Sequence, residues 1–186
     1  LINRRNANGQ KTILSLASGR TMRDLYAELV RLHKEEGLSF KNVVIFGSYE
    51  FYPLSDTTSG SMAQIQSQLL DHIDILPENV HTFPGDLPKE NVFAFCEEYE
   101  KAIAEAGGID VQVLGIGQCG NIAMNEPGTQ SNSSTRLVIM DGNSRVDVKS
   151  LFGNVAQVPT CAITLGIETI LQAKEVILLA FGQHKA

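Results

Sequence analysis

The chain has 186 residues, 43% of them hydrophobic, enough to bury one substantial core, and a single domain over 1–186 is the expectation. A formal charge of -6 with no cluster of Lys or Arg excludes a surface built to hold nucleic acid. Three widely spaced cysteines, Cys96, Cys119 and Cys161, contain no C-x-x-C pair, so they suggest neither a disulfide framework nor a zinc knuckle and fit a reducing cytoplasm. The longest apolar run, "VILLAF" at 176–181, is far too short to span a bilayer, and "LINRRNANGQK" lacks the apolar core of a secretory signal, so no membrane role is expected. Leu1 in place of a start methionine and an abrupt stop at "GQHKA" read as a fragment or the ordered part of something longer.

In chain order, "TILSLA" at 12–17, "NVVIF" at 42–46, "VQVLGI" at 111–116, "RLVIM" at 136–140 and "VILLAF" at 176–181 are short, β-branched and apolar, as strands covered on both faces are. Helical patterns lie between most of them. From Thr21 to Glu36, Met22, Leu25, Tyr26, Leu29 and Leu32 recur at three- and four-residue steps, with Arg23, Asp24, Glu28, Arg31 and Lys34 opposite and Gly37 as the stop. Further helices are predicted over 60–72, 89–106 and 166–173, and a loop with a short helix over 141–159. Strand and helix in alternation give an α/β fold, a doubly wound, mostly parallel sheet with helices on both faces.

Four stretches could carry chemistry. In "LASGRTM" at 16–22 a buried strand turns through Ser18 and Gly19 into a helix, whose free N–H groups and dipole suit an anion such as phosphate. The plainer alternative is that Ser18 or Thr21 caps the helix. No P-loop lysine follows, which disfavours nucleotide hydrolysis. In "FGSYEFYPL" at 46–54 the neighbours Tyr49 and Glu50 point opposite ways on an extended chain, so one of them at most faces a ligand; an aromatic turn closed by Pro53 is the alternative. The glycine-rich "GIGQCGNIAMNEPGTQ" at 115–130 follows a buried strand and can form a ligand floor. Lys185, near the end, could set an ammonium beside a phosphate. His33 and His72 fall on polar helix faces, His81 on a short strand and His184 beside Lys185; no pair has metal-ligand spacing, so no metal is expected. Cys96 and Cys161 read as core.

The floor motif, with "LSLASGRT" upstream, "HIDILPENVHTFPGD" and "EEYEKAIAEAGGID" between, and "VPTCAITLGIETILQAKEVILLAFGQHKA" at the end, resembles the glucosamine-6-phosphate isomerase/deaminase family along nearly the whole chain. The resemblance implies a Rossmann-like cytoplasmic enzyme of amino-sugar metabolism without metal or organic cofactor. It would open the ring of glucosamine-6-phosphate, move a proton between C2 and C1, and release ammonia to leave fructose-6-phosphate. It further implies that Ser18, Gly19, Arg20, Thr21 and Lys185 hold the phosphate of a hexose or hexosamine phosphate, that Gly115 lets the sugar approach, and that the protein is a homo-oligomer. Where the family has a further phosphate arginine, near Ser150, the closest cation is Lys149.

The departures fall where protons should move. The resemblance implies catalytic positions at Tyr49, Glu50, Cys119, Asn121 and Glu126. Tyr49 stands where the family carries an aspartate base, and an unperturbed phenol ionises only near pH 10 (roughly). Asn121 stands at the ring-opening histidine and cannot carry a proton in this range. Cys119 replaces one of the two acids that orient the histidine, while Glu126 keeps the other. General acid–base groups contribute about two to four orders of magnitude each, so the deamination should be weak or absent. Three readings stay open: an enzyme with altered proton chemistry, a catalytically degenerate sugar-phosphate sensor, and a structural subunit of an assembly with an active relative.

Overall fold

The structure is a computed structural model and describes residues 1–182; Lys185 and His184 lie outside the described residues. A short helix α1 (Ile2–Ala7) leads into β1 (Thr12–Leu16), all five of whose residues are buried. The helix α2 (Arg23–Glu36) follows, then β2 (Val43–Gly47), β3 (Tyr49–Tyr52), α3 (Ser61–Gln68), β4 (Val80–His81), α4 (Val92–Glu105) and β5 (Val111–Gly115). The remainder is β6 (Arg136–Ile139), α5 (Gly142–Val148), β7 (Cys161–Thr164), α6 (Ile167–Leu171) and β8 (Glu175–Leu179).

Five strands form a parallel sheet in the order β4-β2-β1-β5-β8, with β1 central. Alternation along these strands divides the core. Ile13, Val44, Phe46 and Leu114 pack on one face with Tyr99 and Ile103 of α4, whereas Leu14, Leu16, Val43, Ile45 and Val113 pack on the other with Met22 and Tyr26 of α2. Helices therefore cover both faces, as the apolar runs predict. The buried positions Val92, Cys96, Tyr99 and Ile103 repeat at helical steps along α4, and Gly37 closes α2 in a left-handed conformation at φ 72°.

Two expected strands sit differently. "RLVIM" is not part of the parallel sheet: as β6 it joins β7 and β3 in an antiparallel sheet of order β3-β7-β6, and Ile139 is 81% exposed because one face of that sheet is open there. "VILLAF" contributes β8 at the parallel sheet's edge, where Val176, Ile177 and Leu178 are exposed; it pairs with β5 alone among the described residues. Sequence periodicity also passes over α1, β3 and β7. The expected helix over 60–72 ends as α3 at Gln68 and a 3-10 turn, and 141–159 holds α5 and two further 3-10 turns. Cys96 is buried, but Cys161 is half-exposed at the rim of the second sheet.

Ser48 joins the two sheets. Its amide donates to the Leu16 carbonyl of β1 (2.9 Å) and its carbonyl accepts from Leu165 just past β7 (2.9 Å). At the amino end of the parallel sheet the Asp110 carboxylate, with its side chain 2% exposed, accepts from the Ile13 amide (2.8 Å), Lys174 (2.6 Å) and Arg5 (3.2 Å). Since β1, β2 and β5 are parallel, their carboxyl ends open on the opposite edge.

Candidate functional site: a cavity at the carboxyl edge of the sheet

That edge holds a cavity of about 350 Å³, within the range of small-molecule sites. Its first wall is the β1 exit, Ala17 to Thr21. Gly19 adopts φ 119°, a region that favours glycine, and so turns the chain into the 3-10 segment that starts α2. Tyr26, fully buried in α2, donates its hydroxyl to the Ala17 carbonyl and fixes the exit from below. Ser18, Gly19, Arg20 and Thr21 all line the cavity. The second wall is the β5 exit, with Gly115, Ile116, Gly117 and Asn121. A Cβ on Gly115 would make only ordinary contacts with Met22 and Thr21, so packing alone does not demand glycine there.

Asn121 is part of the loop's own scaffold. Its Nδ2 donates to the Ala123 carbonyl (3.1 Å), its carbonyl accepts from Gly117 (2.9 Å), and a Cβ on Gly117 would overlap its amide. Ala123 sits at φ 51°, a left-handed conformation that costs a side-chain-bearing residue about 1 kcal/mol.

Tyr49 and Glu50 separate as the extended chain requires. Tyr49 lines the cavity, and its hydroxyl lies 2.8 Å from Ser18 Oγ. Burial pushes the phenol up to about 12, with the nearby Glu50 charge adding to the rise and the Ser18 hydrogen bond opposing it. Glu50 turns away from the cavity: 3% exposed, it accepts from the amides of Phe51 (2.8 Å), Ser61 (2.8 Å) and Met62 (2.9 Å). The last two are among the free N–H groups at the start of α3, so the carboxylate serves as a cap from a distant strand. Burial raises its pKa, more than the three amides lower it.

Glu126 and Cys119 do not meet Tyr49 and Asn121. They line a separate, more open depression that also includes Asp141, whose amide donates to Glu126 Oε1 (3.3 Å). The five positions expected to be catalytic are thus divided among the cavity, a helix cap and a neighbouring surface. Lys149 is exposed and lies outside the cavity lining, to which its neighbour Ser150 belongs. Three cavity residues with charged or amide side chains escaped the sequence reading. Arg23 follows Arg20 by one helical turn, a spacing that could have flagged it; Gln64 on α3 and Asp147 on α5 left no local signal. Among the described residues no group of three or more His, Cys, Asp or Glu could hold a metal, and no helix is long and apolar enough to cross a membrane.

Residues 1–186 match the family described as glucosamine-6-phosphate isomerases/6-phosphogluconolactonase. A glucosamine-6-phosphate deaminase-like protein of Bacteroides thetaiotaomicron is 46% identical over 179 residues, covering 96% of this chain but only 27% of that protein. The glucosamine-6-phosphate deaminase of Bacillus pumilus is 41% identical over 191 residues, covering all of this chain and 77% of the relative. A solved structure of a monomeric glucosamine-6-phosphate deaminase superposes with a TM-score of 0.86 at 34% identity, over 90% of this chain and 69% of that one. The 6-phosphogluconolactonase of Thermotoga maritima shares the fold, with a TM-score of 0.73 at 23% identity over 98% of this chain and 76% of that one. The parallel sheet, its glycine-rich exits and these matches along the full sequence agree: the chain belongs to the glucosamine-6-phosphate isomerase/6-phosphogluconolactonase family.

Proposed function

We propose that this chain is a single domain that binds a hexose or hexosamine phosphate and in which glucosamine-6-phosphate deamination is strongly attenuated. The observation that supports the reading is the composition of the cavity wall. The turn Ser18–Thr21 and Gly115 line it, while two of the positions where the family resemblance calls for proton carriers are occupied by Tyr49 and Asn121. Amide N–H groups at the turn and the hydroxyls of Ser18 and Thr21 donate to the phosphate oxygens, and the sugar lies over the β5 exit. A phenol pushed up to about 12 stays protonated at neutral pH and donates rather than accepts a proton. A carboxamide has no proton to give at that pH.

In this reading the protein reports or buffers a sugar phosphate in the cytoplasm, and any turnover yields fructose-6-phosphate and ammonia slowly. The proposal extends to a homo-oligomer, although the similar solved deaminase is described as monomeric; sedimentation velocity tests this. Titration calorimetry with glucosamine-6-phosphate, beside an ammonia-release assay, tests the main reading. Saturable binding with turnover at least a hundredfold below that of an active deaminase supports it. Turnover matching such a deaminase overturns it, as does the absence of binding.

A further inference from the structure

The cavity carries charge of both signs, and the two signs come from different elements. Arg20 and Arg23 line it from the β1 exit and the start of α2. Asp147 lines it from α5, beside the β5 exit loop, where its Oδ2 receives one long hydrogen bond from the Gln118 amide at 3.4 Å. It is the sole carboxylate in the lining among the described residues, and there it forms no ion pair with either arginine. The remaining acceptor positions of a half-buried carboxylate therefore have no protein donor in that set, although two arginines line the same cavity.

We infer that Asp147 is a specificity-determining residue that binds the protonated amino group of a hexosamine phosphate. The inference rests on the sugar-phosphate reading of this cavity. A ligand whose phosphate occupies the turn near Arg20 and Arg23 places the rest of the sugar toward α5. A hydroxyl there donates one hydrogen bond to the Asp147 carboxylate; an ammonium donates one and adds the attraction of a full opposite charge. An acetylated amine loses the charge and adds bulk. The assignment gives the site a way to single out amino sugars that needs no proton transfer, which suits a binding protein whose Tyr49 and Asn121 do not shuttle protons.

Calorimetry at low salt with glucosamine-6-phosphate, glucose-6-phosphate and N-acetylglucosamine-6-phosphate tests this, using wild type, Asp147→Asn and Asp147→Glu. Wild type should bind the amino sugar about tenfold more tightly than the other two. Asp147→Asn should bring that ratio close to one, the amino sugar losing more affinity than glucose-6-phosphate, and Asp147→Glu should keep at least about a threefold preference. Glucose-6-phosphate binding without any wild-type preference overturns the role of Asp147 and leaves the phosphate cradle standing. A preference that survives in Asp147→Asn overturns it too, as does a loss of affinity common to all three sugars. If none of the three binds wild type, the cradle and the role of Asp147 fall together.

Discussion

The Tyr49 hydroxyl lies 2.8 Å from Ser18 Oγ, so the residue at the expected base position is bonded to the turn expected to hold phosphate. Because burial pushes this phenol up to about 12, it is a hydrogen-bonding wall and not a base at pH 7. Tyr49→Phe should therefore leave any residual ammonia release unchanged within about twofold, and should lower unfolding stability by about 1 kcal/mol through the lost hydrogen bond. A steady-state assay and urea titration check both. A fall of tenfold or more in turnover would show that the phenol takes part in the reaction.

Restoring proton carriers should restore chemistry. The variant Tyr49→Asp/Asn121→His, at two positions that line the cavity, is expected to raise ammonia release from glucosamine-6-phosphate by at least about a hundredfold, the scale of one general acid–base group. The single substitutions should achieve far less, since groups that act as a unit are not additive. Coupled ammonia detection reads the gain directly.

Glu50 gives a pH signature. Its pKa is raised by burial in the folded state, so its contribution to stability is fully present below the unfolded value, about 4.3, and declines as pH rises through the folded value. Glu50→Gln removes that decline. Urea midpoints measured from pH 4 to pH 7 should fall less steeply with rising pH in the variant than in the wild type. Equal slopes would mean that burial does not raise the Glu50 carboxyl in the folded state.

At the opposite edge, Asp110 binds the Ile13 amide, Lys174 and Arg5 together. Asp110→Ala leaves a buried amide without its partner and removes both ion pairs, one of them to a Lys174 side chain that is 59% exposed and so partly screened. A loss of about 2 kcal/mol follows. Denaturant unfolding should record it, and sugar-phosphate affinity should stay the same because the clamp sits at the far end of the sheet.

The sequence alone determined the central strands β1, β2 and β5, the helices α2 and α4, the glycine turn after β1 and membership of the family. Each is written in a local pattern: an unbroken apolar run for a strand buried on both faces, a helical repeat for α2 and α4, and a motif in fixed order. Alternation also required Tyr49 and Glu50 to diverge. Only the tertiary structure decided which of them faces the cavity, because that depends on α3 presenting its free amides to Glu50 and on Ser18, 31 residues earlier, meeting Tyr49. Pairing set the fates of "RLVIM" and "VILLAF", since a strand's burial is fixed by its neighbours and not by its composition. Asp147 joined the site for the same reason: α5 lies beside the β5 exit loop, where Asp147 accepts from the Gln118 amide, and lines the cavity with residues that no spacing in the chain links.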